Sequence, residues 1–287
     1  MELFDGIAFA KQREQHLKER VSQLIQRGSR PSIASIVFTE DPGSRLYTQK
    51  KLEAAQRVGI DFQPIFFSLQ DATQQVIDAI NKLNTDSSVT GVMIQKPSKQ
   101  LWEKRAGEGD FSKWWHSLVM NIKPKKDVDG LTPTTQQAVK DGTWIAMGLV
   151  LPATAQAILL LLEQAEVSKE SKVAIVGRSD IVGTPTFYAL NHLGYQSTLL
   201  GRADFANRIA SDQQLKEFDV VISATGVEHL VKGSMLKQEV ILVDVGEPKP
   251  DIDRQSVENI VTFLSPVPGG VGPITVVCLL ENVLKLC

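Results

Sequence analysis

Cysteine is almost missing: the 287 residues hold two, Cys278 and Cys287, both at the very end of the chain. Two cysteines so placed build neither a disulfide framework nor a cysteine-ligated metal centre, and a reducing cytoplasm is the simplest compartment for them. Charge of one sign is lacking as well, because 31 Lys and Arg face 33 Asp and Glu, a net of −2. A binder that holds nucleic acid through bulk positive charge is therefore excluded. Histidine is scarce: His16, His116, His192 and His229 are scattered, and neither a His-x-x-x-His pair nor a Gly-x-Ser-x-Gly elbow occurs. No metal and no serine triad are expected.

Long apolar runs are equally few. The start, Met1-Glu-Leu-Phe-Asp-Gly, has no basic stretch leading into an apolar one and does not read as a signal peptide. One uncharged run, residues 145–162, reaches the lower length limit of a membrane span. Pro152, Thr154 and Gln156 interrupt it, so it reads as a buried helix after a proline-containing turn, and no membrane is expected. There is no solenoid repeat and no low-complexity stretch.

What is present is an ordinary globular composition, 43% apolar and 22% charged. At roughly 100 to 200 residues per domain the length predicts two domains or one large one. Helical spacing over 14–26, 44–58 and 72–83 alternates with buried strand patterns at 31–39, 62–68 and 89–94. That rhythm predicts a parallel sheet with helices on both faces. Between 97 and 121 the pattern breaks into a charged stretch, 103–109, flanked by Trp102, Trp114 and Trp115. It reads as a surface excursion whose aromatics pack back on the body, the alternative being a lid or partner contact. A second α/β run follows: a helix at 155–166, strands at 171–176, 196–200, 220–224 and 240–245, and a last helix at 274–286.

The first chemical signal is the strand–glycine–helix unit at 171–193. A buried strand delivers the chain to Gly177, and Gly183 opens the next helix, where backbone amides and the helix dipole favour phosphate. Gly-x5-Gly is a looser pattern than Gly-x-Gly-x-x-Gly and also fits a plain β–α turn. At the end of the following strand, where NAD enzymes commonly place an acid for the ribose, stands Arg202, and Arg178 lies inside the turn. Two guanidinium groups suit a 2′-phosphate, so NADP is preferred over NAD, unless Arg202 merely faces solvent.

Seven strings carry a family resemblance, in order along nearly the whole chain. They begin with Tyr47-Thr-Gln-Lys-Lys51, Gly91-Val-Met-Ile-Gln95-Lys-Pro97 and Pro124-Lys-Lys-Asp127-Val-Asp129-Gly130. Gly177-Arg178-Ser179-Asp-Ile-Val182-Gly183-Thr-Pro185, Ser223-Ala-Thr225-Gly226 and Val243-Asp-Val-Gly246 follow, and Pro266-Val-Pro268-Gly269-Gly270-Val-Gly-Pro273 closes the set. With these the sequence resembles the bifunctional methylenetetrahydrofolate dehydrogenase/methenyltetrahydrofolate cyclohydrolases.

The resemblance implies two α/β domains: a folate-binding catalytic domain of residues 1–148 plus 270–287, and a Rossmann-like, doubly wound NADP domain of 149–269. It implies oxidation of 5,10-methylenetetrahydrofolate with NADP and hydrolysis of the methenyl product to the 10-formyl form, by a cytoplasmic homodimer acting on tetrahydrofolate derivatives. Lys51 would do the proton chemistry, Tyr47 pack on the folate and Gln95 orient the lysine. Asp129 would bond the pterin edge, with Pro268, Gly269 and Gly270 also on the substrate and Asp127 holding its loop. Gly177, Arg178, Ser179, Val182 and Gly183 would bind the cofactor, with Arg202, Thr225 and Gly226.

Each string alone has a plainer reading. Tyr47 and Lys51, four apart, share a helix face that is usually solvated; Asp127 and Asp129 could cap the next helix; Gln95 could close a turn. Some segments depart from the family pattern, namely Lys96-Pro97-Ser98-Lys99, Pro152-Ala-Thr-Ala and Leu131-Thr-Pro-Thr-Thr-Gln136. A monofunctional NAD-dependent dehydrogenase, a shikimate- or amino-acid-dehydrogenase-like enzyme and a silent nucleotide- or folate-binding protein are the alternatives.

Overall fold

The computed structural model describes residues 1–105 and 109–287, so the middle of the charged stretch at 103–109 lies outside the described residues. In chain order the elements begin with β1 (Glu2–Leu3), α1 (Gly6–Gln26), β2 (Ser32–Phe38), α2 (Pro42–Val58), β3 (Asp61–Phe67) and α3 (Thr73–Thr85). Next are β4 (Gly91–Ile94), α4 (Lys99–Arg105), α5 (Phe111–Val119), α6 (Pro133–Lys140), α7 (Ala153–Gln164) and β5 (Lys172–Val176). The remainder is α8 (Gly183–His192), β6 (Gln196–Leu200), α9 (Arg202–Ala210), β7 (Val220–Ser223), β8 (Val240–Asp244), α10 (Arg254–Val257), β9 (Val261–Ser265) and α11 (Val271–Leu286).

Two compact units emerge. One comprises Met1–Lys11, Val139–Gly142 and Leu151–Cys278, the other Gln12–Ala138, Thr143–Val150 and Leu279–Cys287. This division departs from the expected boundaries at residues 1–11, 139–142 and 270–278, which group with the second α/β run and not with the expected folate domain. Residues 1–11 group with the second α/β run because β1 pairs in parallel with β9, Glu2 opposite Phe263 and Leu3 opposite Leu264. Two residues are too few for a periodic pattern, and β9 itself has no motif that marks it as a strand.

The unit built on Gln12–Ala138 holds a three-stranded parallel sheet in the order β3-β2-β4. From β2 the chain moves to one neighbour through α2, then crosses back through α3 to the other. Right-handed crossovers in opposite directions put α2 and α3 on opposite faces. Ala34, Ile36, Phe38, Val92 and Ile94 point to the α3 face and pack there with Trp102 and Trp115. The expected break in pattern at 97–121 is two short helices, α4 and α5. Their aromatics fold inward, Trp114 lying 5.3 Å from Phe38 and 5.5 Å from Trp102, centroid to centroid.

The other unit holds a six-stranded, wholly parallel sheet in the order β1-β9-β8-β7-β5-β6. From β5 the chain goes to β6 on one side and then returns to β7 on the other, so the strand order reverses between β5 and β7. Open α/β sheets bind ligands at such a reversal, outside the carboxyl ends of the strands. The uncharged run at 145–162 becomes α7 after Pro152, with Ala155, Ile158, Leu161 and Leu162 buried. Among the described residues no helix is long and apolar enough to cross a membrane.

Candidate active site

In the three-stranded unit the site is built around α2. Asp41 caps the helix, its Oδ1 accepting from Gly43 N at 3.0 Å and Ser44 N at 3.2 Å, with Pro42 in the first turn. Its other oxygen accepts from Ser98 N at 3.1 Å, tying the start of α2 to the segment that follows β4. Ser44, Thr48, Lys51, Ala54, Ala55 and Val58 form the buried face of α2, and Tyr47 is half-buried beside it. Lys51 is only 9% exposed. Burial lowers its ammonium from the ordinary lysine range, opposed by the charge of Asp129. Burial likewise pushes the Asp129 carboxyl up, opposed by Lys51.

Gln95 follows β4, its backbone N–H donating to Ile36 O at 2.9 Å. Side chains alternate along a strand, so Gln95 and Ser35 point away from the aromatic core, to the α2 face. Both are buried, and neither the Gln95 Nε2 donor nor the Ser35 Oγ has a hydrogen-bond partner. A buried donor left unpaired costs roughly 1 to 3 kcal/mol, which a ligand acceptor would relieve.

Asp129 sits in a braced loop. Asp127, fully buried, accepts from Leu131 N at 3.0 Å and Thr132 N at 2.8 Å, which is the loop-holding part expected of it. Gln136 Nε2 donates to Gly130 O at 2.8 Å, and Lys126 Nζ to Leu83 O at 2.8 Å. Tyr47, Lys51, Gln95 and Asp129 thus share one unit, with Lys51 and Asp129 close enough to act on each other's charge.

The cofactor candidates lie in the six-stranded unit at the strand-order reversal. Gly177, at φ +120°, ends β5, and a Cβ there would collide with the carbonyl of Ala224 at the end of β7. A Cβ at Gly183 would collide with the carbonyl of Gly177, so the first turn of α8 is pressed onto the glycine turn. Val182 caps α8, and the Ser179 hydroxyl accepts from Val182 N at 3.2 Å and Gly183 N at 3.3 Å. Arg178 reaches over Gly201, its Nη2 2.9 Å from Asp204 Oδ2 and 3.3 Å from Leu199 O. Arg202 opens α9 beside it and is exposed. Thr225 and Gly226 form the turn after β7, Gly226 at φ +67°.

Pro268, Gly269 and Gly270 belong to this second unit, in the turn between β9 and α11. Gly269 takes φ +100°, and a Cβ at Gly270 would collide with Ser265 Oγ. A Cβ at Gly6 would in turn collide with the Gly270 carbonyl, so these glycines permit close backbone packing inside the unit.

Some ordering residues carried no motif-level signal. Asp41 was missed, although an aspartate before a proline at a helix start is the signal that would have found it. Ser35 gave no such signal, because it reads as one more small residue in a buried strand. Asp251 contacts Ser223 across 28 positions, which no local pattern reveals.

The tetrahydrofolate dehydrogenase/cyclohydrolase catalytic-domain family model matches residues 4–129, and that of its NAD(P)-binding domain matches 152–287. The bifunctional protein FolD of Lactobacillus helveticus is 36% identical over 99% of this chain and 96% of its own length. This chain belongs to the tetrahydrofolate dehydrogenase/cyclohydrolase family. Among solved structures, the FolD methylenetetrahydrofolate dehydrogenase/cyclohydrolase of Campylobacter jejuni superposes with a TM-score of 0.84 at 29% identity, covering 100% of this chain and 98% of that one. The Trypanosoma brucei FolD, solved with NADP and an inhibitor, superposes with a TM-score of 0.87 at 27% identity, covering 99% and 96%. Both family domains are thus accounted for, in their family order.

Proposed function

We propose that this family member oxidises 5,10-methylenetetrahydrofolate to the 5,10-methenyl form with NADP and hydrolyses that product to 10-formyltetrahydrofolate. The observation that carries the reading is Lys51, a buried amine lowered by burial, with Asp129 acting on its charge. An orphaned Gln95 donor on the α2 face of the sheet supports it.

The cofactor turn fits a dinucleotide. Side chains are excluded where Gly177 meets Ala224, the positive end of α8 suits phosphate, and Arg178 and Arg202 suit a 2′-phosphate. Bound NADP supplies the hydride acceptor, so the dehydrogenase step asks the chain for orientation rather than proton transfer. Tyr47 packs on the pterin and Asp129 holds its edge. In the hydrolysis, neutral Lys51 Nζ takes a proton as water adds to the methenyl carbon. The bond from that carbon to N5 then breaks as N5 gains a proton, and one proton in all passes to solvent. Gln95 orients the lysine. The same reading includes a cytoplasmic location and a homodimer, and for the homodimer the edge of β3, unpaired among the described residues and with Phe66 exposed, offers a surface.

Purified protein given methylenetetrahydrofolate with NADP or NAD, with methenyl and 10-formyl products followed separately, tests the reading. Both products are expected, with NADP the better acceptor. Arg202→Ala is expected to weaken NADP by more than NAD. Equal losses for the two cofactors would remove Arg202 from recognition of the 2′-phosphate.

A further inference from the structure

Behind the turn that follows β7 lies a buried carboxylate that the two reactions do not use. Asp251 is fully buried, in the loop between β8 and α10. One of its oxygens, Oδ2, accepts three hydrogen bonds: from Ser223 Oγ at 2.9 Å, Thr225 N at 2.6 Å and Thr225 Oγ1 at 2.8 Å. The other, Oδ1, has no partner. Asp251 N donates to Asp244 Oδ1 at 3.1 Å, and Asp251 O accepts from Val231 N at 3.0 Å. One residue thus joins the ends of β7 and β8 and the segment leading to residue 231.

A carboxylate removed from water is costly unless its bonds are worth more than its hydration. Here all three side-chain bonds come from the two residues that flank Ala224, whose carbonyl leaves no room for a Cβ at Gly177. Thr225 Oγ1 is itself held, accepting from Val227 N at 3.1 Å. The hydroxyl and the amide of Thr225 are therefore both oriented from the buried side, and the outward shape of the turn follows from Asp251.

We infer that Asp251 is a positioning residue for the dinucleotide, fixing the Ser223–Ala224–Thr225–Gly226 turn against Gly177 so that the cofactor meets a preformed surface. The inference rests on the reading that NADP binds at this turn. It predicts that Asp251 governs cofactor affinity without touching the cofactor, and that the acceptor oxygen matters more than the charge.

Calorimetric titration of full-length wild-type, Asp251→Ala and Asp251→Asn enzymes with NADP tests this, with cyclohydrolase turnover and melting temperature measured in parallel. Asp251→Ala is expected to raise the Kd for NADP at least about tenfold, the effect of losing a charged acceptor for several donors. Asp251→Asn, which keeps an acceptor oxygen in place, is expected to recover most of that loss. Unchanged NADP affinity in Asp251→Ala, alongside a wild type that binds, overturns the positioning role alone. A wild type that binds no NADP overturns the cofactor reading and the inference with it. Parallel loss of NADP affinity, turnover and melting temperature in both variants also overturns it, because Asp251 would then serve general stability.

Discussion

Lys51 faces inward on α2, where water cannot solvate its ammonium, so the neutral amine is present at lower pH than for a lysine in water. Asp129 works against that, its charge drawing the lysine back up. The cyclohydrolase rate should therefore rise with pH as Lys51 loses its proton. Asp129→Asn, which removes the opposing charge, should move that rise to lower pH even if substrate binding weakens. Lys51→Met should lower hydrolysis by about a hundredfold or more, the usual worth of a positioned acid–base group, and impair oxidation less. Lys51→Arg should not rescue it, because a guanidinium stays protonated. A pH–rate profile for 10-formyl production that is the same in wild type and Asp129→Asn would refute the coupling, and retained hydrolysis in Lys51→Met the proton role. The sequence made these residues visible only as a set. A tyrosine and a lysine four apart describe many solvated helix faces, and burial of Lys51 depends on which face α2 turns to the sheet.

At the scale of elements, most strands were legible, the edge strands β3, β4 and β6 among them, while β1, the interior strand β9 and the crossover helix α9 were not. Period and length mark β2, β5 and β7 because they are buried on both faces, whereas β1 has two residues and β9 no motif of its own. The turns after strands were legible through glycine, yet their bracing was not, since Asp244 and Asp251 act across loops. Asp244 accepts from Gly246 N at 2.9 Å, Asp251 N at 3.1 Å and Ile252 N at 3.0 Å. Burial nevertheless pushes its carboxyl up to about 6, against those bonds and with help from the charge of Asp251. The folded chain thus holds this proton more tightly than the unfolded chain, where the pKa is near 3.8. Its contribution is most favourable below pH ~4 and is lost as pH rises through about 6, by on the order of 3 kcal/mol. Urea unfolding from pH 4 to 7 should show wild-type stability falling relative to Asp244→Asn across that window. Parallel curves would mean that Asp244 is already ionised there.

For the whole molecule, the unit that carries Lys51 is not one stretch of chain, because Leu279–Cys287 completes it. The return of the last helix follows from the resemblance and not from periodicity, which shows that α11 is apolar but not what it covers. The decisive contact spans 154 positions: Asn282 Nδ2, fully buried on α11, donates to Val128 O at 3.1 Å. Val128 is the residue between Asp127 and Asp129, so the end of the chain grips the loop that carries Asp129. Arg13 and Glu281 add a second tie, at 2.7 Å, between α1 and α11. Asn282→Ala leaves the Val128 carbonyl unpaired in the interior, at a cost of roughly 1 to 3 kcal/mol. Loosening of the Asp129 loop should raise the KM for the folate substrate and lower 10-formyl production. NADP affinity should stay near wild type, because the glycine turn, Thr225 and Asp251 all lie in the other unit. Titration calorimetry with NADP and steady-state hydrolysis, run on the same preparation, separate the two effects. An Asn282→Ala enzyme that loses NADP affinity while keeping its folate KM would place the role of α11 in the cofactor unit instead.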